Sequence, residues 1–179
     1  MTQHEYIFIA VSIILGLAIT RLLHTLAMLT RAHTRVMFNW YSIVWAFCIL
    51  LYILHLWWVG WGLRNVESWT FLDFMVLIIG SASLYGAAEM ALSAPEDGAL
   101  DMLKISQDLG RLSALSMLLY FLVGPYVNIF MYRNAVLPSV AVPSLGILLM
   151  ILVIRLPARF GLWSTLFALY SIGVILLTI

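Results

Sequence analysis

Apolar runs, each about as long as a bilayer's hydrocarbon core is thick, recur along this sequence with only short polar segments between them. Such a core is crossed by ~20 helical residues at 1.5 Å each. Lipid offers no partner for backbone N–H and C=O groups, so each run must satisfy its own, and a helix does this while a loop cannot. The sequence therefore predicts an all-α fold, a polytopic membrane helix bundle. Composition agrees, with 64% hydrophobic and 9% charged residues and a mean hydropathy of +1.07. A chain of 179 residues has room for about six spans and for no soluble domain of ordinary size.

The expected spans are residues 6–28, 40–60, 69–91, 109–131, 138–154 and 160–179, forming one integral membrane domain over 1–179. Between the third and fourth, Asp101, Lys104, Asp108 and Arg111 recur at helical spacing opposite Met102, Ile105, Leu109 and Leu112. This predicts a cytoplasmic helical extension over about 99–108. Pro125, after Gly124, is expected to kink the fourth span. Arg21, Arg31, Arg35, Lys104, Arg111, Arg155 and Arg159 fall on one side and Arg64 and Arg133 on the other. The positive-inside rule then places both termini outside. The N-terminus lacks the basic region of a signal peptide, so the first run is expected to remain a span. A net charge of +1 and the lack of any basic block argue against nucleic acid as a partner. The lone cysteine, Cys48, reads as a small core residue.

Ionisable residues inside a bilayer are costly, and they mark candidate sites unless they pair or snorkel. Toward the expected outer face, His55 and Asp73 lie at matched depth, ~7 and ~6 Å inside adjacent spans, which predicts a His–Asp contact. Asn128 reaches a similar depth, and Trp57, Trp58, Trp61 and Trp69 crowd around with Arg64 and Glu67. Aromatic residues beside ionisable ones form a candidate pocket for a planar or cationic ligand. An interfacial aromatic belt is the competing reading. Toward the inner face, Arg21, His24 and Glu89 form a second candidate cluster, with an Arg21–Glu89 pair expected and snorkelling as the alternative. The rows Ser12, Gly16, Thr20 and Ala82, Gly86 have the small-residue spacing that lets helices approach closely. Ser116, Tyr120, Gly124 and Asn128 also align, as a polar path or as hydroxyls bonding between helices.

No catalytic motif, paired-cysteine or His-Glu-x-x-His spacing, or glycine-rich phosphate loop is found, so an enzyme, a metal site and a bound cofactor are not expected. The segments Ser12-Ile-Ile-Leu-Gly-Leu17 with Thr20, His55-Leu-Trp-Trp58 and Val66-Glu-Ser-Trp-Thr-Phe71 resemble an uncharacterised family of small multi-pass bacterial membrane proteins. That resemblance covers mainly the first three spans. It implies the bacterial cytoplasmic (inner) membrane and supplies no activity. In size and span count the chain is also similar to the substrate-binding components of vitamin uptake transporters, which keep both termini inside. The leading functional expectation is a non-enzymatic protein that binds a small molecule or ion in the outer aromatic pocket, as a transport or sensing subunit. The alternatives are an oligomeric proton or cation conduit, or a structural partner of another membrane protein.

Overall fold

The computed structural model describes residues 2–66, 68–94 and 100–178. They form a bundle of six helices: α1 (Gln3–Arg31), α2 (Trp40–Gly60), α3 (Phe71–Ala91), α4 (Met102–Tyr126), α5 (Val136–Arg155) and α6 (Phe160–Thr178). Each, taken with the short helical turns that extend α2, α4 and α6, is long and apolar enough to cross a membrane. Leucines and isoleucines such as Ile13, Leu17, Leu122 and Leu169 face outward and exposed. A surface of that kind suits lipid and would aggregate in water.

Local signals fix the helix ends. Thr2 and Glu5 form a capping box at the start of α1, Asn39 caps α2, and Asp101 accepts from the N–H groups of Leu103 and Lys104 at the start of α4. Such caps satisfy donors that a helix leaves unpaired in its first turn. Leu100 and Asp101 are a two-residue strand, β2 (Leu100–Asp101), paired in parallel with β1 (Val36–Met37). The helical extension expected over 99–108 therefore begins at Met102, and residue 99 lies outside the described residues. The strand pair ties the α1–α2 connection to the base of α4.

α3 packs between α1 and α4, α5 lies between α4 and α6, and α6 returns to α2, which closes onto α1 and α3. Trp45, Tyr52, Phe121 and Phe167 pack at the centre, with ring centroids 5.0 Å apart for Trp45–Phe167 and 5.3 Å for Tyr52–Phe121. Hydroxyls tie this core together. The Trp45 indole donates to Ser113 Oγ at 2.9 Å, and Ser113 donates to the Ala87 carbonyl at 2.9 Å, joining α2, α4 and α3. Ser164 of α6 donates to the Tyr41 carbonyl at 2.8 Å.

The close approach expected along Ser12, Gly16 and Thr20 is not made. Nothing lies within 4 Å of where a Cβ on Gly16 would stand, and Thr20 donates back to the Gly16 carbonyl of its own helix. α1 instead buries Val11, Leu15, Ala18 and Leu22, a face with more apolar surface to remove from lipid and fit to a neighbour. On α3, Ala82 is exposed and Gly86 abuts Ser116 of α4. The row on α4 is not one polar path: Ser116 meets Gly86, Tyr120 packs on the Tyr52 ring and Gly124 meets Pro143 of α5. Pro125 does not end α4. The helix runs through it and then widens to a π turn over Val127–Met131, where the Tyr132 N–H bonds to the Val127 carbonyl at 3.0 Å. Pro125 cannot give the Phe121 carbonyl its usual i+4 N–H, yet the helix continues past it.

Candidate functional site

On α2, Leu54 and His55 stand three and four residues after Leu51, and Trp58 four and three after them, so the four share a face. The helix then tightens into a 3-10 turn over Trp61–Asn65, which brings Trp61 beside them. With Trp57 and with Ile175 of α6, these residues line a cavity of about 780 Å³. That volume lies in the ~300–1,000 Å³ range of small-molecule sites. Trp57, Trp58 and Trp61 are 49%, 68% and 66% exposed, so their ring faces are open to a ligand or to lipid. The Arg64 guanidinium stands 4.5 Å from the Trp61 ring centroid, placing a cation at the rim through attraction to the indole face.

His55 is the cavity's ionisable member. Its Nε2 lies 2.8 Å from the Thr178 hydroxyl, and that hydroxyl points its proton at the Val174 carbonyl, 2.9 Å away. The other ring nitrogen, Nδ1, is buried without a hydrogen-bond partner. One turn below, the Tyr52 hydroxyl is also buried, beside the Ser171 and Tyr170 hydroxyls, and its ring meets the imidazole edge-on at 6.3 Å. Sequence reading missed Tyr52 as a polar feature because its ring fits the core stripe of α2.

The structure thus brings together His55, Trp57, Trp58 and, through Trp61, Arg64. The remaining outer candidates lie elsewhere, and the expected His55–Asp73 contact is not formed. Asp73 Oδ2 accepts from the Thr70 N–H and hydroxyl at 2.8 and 2.7 Å, while its Oδ1 accepts from the Tyr126 hydroxyl at 2.9 Å. Equal depth is not adjacency: His55 turns toward α6, whereas the acid is consumed by its own helix cap and by α4. Trp69 sits 6.0 Å from the His4 ring, and Asn128 bonds Asn134. Glu67 lies outside the described residues.

At the other end of the bundle the expected ion pair is present, with Arg21 Nη2 2.9 Å from Glu89 Oε1. His24 is exposed and takes no part in it. Arg21 Nε and the Thr25 hydroxyl, one turn apart on α1, are buried without partners. Comparison with protein-family models, curated proteins and solved structures returned no match to this chain.

Proposed function

We propose that this multi-pass protein is a non-enzymatic binding subunit, for transport or sensing, in the bacterial cytoplasmic membrane. Its ligand is a small amphipathic molecule with a planar or apolar body, held in the cleft between α2 and α6. The observation that carries this reading is the cavity of about 780 Å³, in which three indoles stand around one histidine. Indoles give stacking faces and apolar area at small entropic cost, and a single polar group among them orients a ligand. Arg64, held at the rim on Trp61, favours a ligand with an electron-rich or anionic edge on that side.

An organic extract of the purified protein, analysed by mass spectrometry, tests the reading. Wild type should release a discrete small molecule that Trp58→Ala and His55→Gln preparations lack. Identical extracts containing bulk lipid alone from all three would reduce the tryptophans to an interfacial belt.

A further inference from the structure

A second cavity, of about 440 Å³, lies at the opposite end of α2, where α4 and α6 begin. Tyr41 lines it, and position 41 is ~21 Å from position 55 along the helix at 1.5 Å per residue. The two cavities are therefore separate sites. Gln107 of α4 and Arg159, at the end of the 3-10 turn Pro157–Arg159, line it as well, beside Leu103 and Leu162. Gly161 completes the wall. A Cβ there would stand 2.9 Å from the Tyr41 ring, so glycine is what lets that ring lie against α6.

The chemistry of the wall is one-sided. The Tyr41 hydroxyl, the Gln107 amide and the Arg159 guanidinium all offer hydrogens, and none has a partner among the described residues. No carboxylate among the described residues lines the cavity. Asp108 and Lys104 flank Gln107 on α4 and Arg155 ends α5, but the one ion pair among the described residues is Arg21–Glu89. Arg159 thus keeps its charge uncompensated. Hydrogen-bond donors beside a cation select an anion with several acceptor oxygens. A metal or ammonium ion would meet only one amide oxygen and one hydroxyl.

We infer that this cavity binds a phosphate group, carried by an anionic lipid or by a soluble phosphate compound. The site sits at the end of the bundle where seven of the nine basic residues fall, and basic pockets between spans are suited to lipid headgroups. Leu103 and Leu162 beside the donors give the glycerol and first methylenes of a lipid an apolar bed. This inference uses none of the residues of the tryptophan cleft and stands or falls apart from it.

Native mass spectrometry of the detergent-solubilised protein tests the site, with phosphatidylglycerol, phosphatidylcholine and inorganic phosphate as probes. Wild type should retain phosphatidylglycerol in preference to phosphatidylcholine. Arg159→Gln should bind it about tenfold more weakly, the loss of one charge-assisted contact. Arg155→Gln, outside the cavity, should bind as wild type does. Gln107→Leu should weaken binding too and serves if Arg159→Gln does not fold. Binding of inorganic phosphate that depends on Arg159 would identify the soluble source, and lipid binding without it the headgroup. Equal retention by Arg159→Gln, Gln107→Leu and wild type, or an equal loss in Arg155→Gln, would overturn the site in favour of diffuse surface attraction.

Discussion

Asp73 shows how a buried carboxylate in a span can be wholly structural. All three of its recorded acceptor contacts go to Thr70 and Tyr126, so it closes the first turn of α3 and pins that turn to α4. Asp73→Asn replaces one acceptor oxygen with a donor facing donors, and should cost about 1–3 kcal/mol in a detergent unfolding titration. His55→Gln should cost less, because it leaves only the Thr178 contact to be rebuilt. The two effects should add within ~0.5 kcal/mol, as they do for residues that share no partner. A coupling above about 1 kcal/mol in the double-mutant cycle would mean that the residues communicate after all. Tyr132 gives a second test at this scale. Its hydroxyl donates to the Val59 carbonyl, and burial pushes it from the ordinary 10.0 up to about 12. A raised folded-state value means that the protonated bond stabilises fully below pH 10.0 and is lost as pH rises toward about 12. Tyr132→Phe should be about 1 kcal/mol less stable at neutral pH, and the difference from wild type should shrink across that alkaline window.

At the scale of helices, glycines decide which faces meet, and the structure separates two kinds. At Gly110 a Cβ would stand 2.8 Å from the Phe160 ring, which is itself 1% exposed and has nowhere to go. Gly110→Ala should therefore destabilise by about 1–3 kcal/mol through overpacking. At Gly16 the same substitution meets open space and should be neutral or mildly stabilising, by up to ~1 kcal/mol from helix propensity. Parallel melting curves of the two variants check both signs. Equal losses would show that α1 presents its Gly16 face to a neighbour. The contrast also marks what can be read from sequence alone. Run length and hydropathy are local properties, so the six helices were legible. Which glycine touches another helix is a matter of rotation about the axis, and small-residue spacing carries no such angle. For the same reason matched depth predicted the Arg21–Glu89 pair, where the two side chains also share an interface, and failed for His55 and Asp73, which turn to different neighbours.

For the molecule as a whole, the two cavities and the core between them bear on whether polar groups form a path through the bundle. The inner face of α2 carries Ser42, Trp45, Cys48, Tyr52 and His55 in series. The Trp45 indole, held by Ser113 and enclosed by Phe160 and Phe167 at 5.5 and 5.0 Å, can donate a hydrogen but accept none. A proton relay along this one face would have to pass that indole, which cannot accept a proton. Which site faces which compartment then depends on orientation. Arg31, Arg35, Lys104, Arg155 and Arg159 fall at the end bearing the second cavity, and Arg64 and Arg133 at the end bearing the tryptophan cleft, so the positive-inside rule predicts that the second cavity faces the cytoplasm. The lone cysteine, Cys48, is 1% exposed and gives little background to thiol labelling of the folded protein. His33 and Ser68 are both exposed and lie at opposite ends. In intact cells an impermeant maleimide should label Ser68→Cys directly, and His33→Cys only after permeabilisation. The reverse pattern would invert the molecule, opening the tryptophan cleft to the cytoplasm and removing the phosphate site from the leaflet face that the basic residues assign to it.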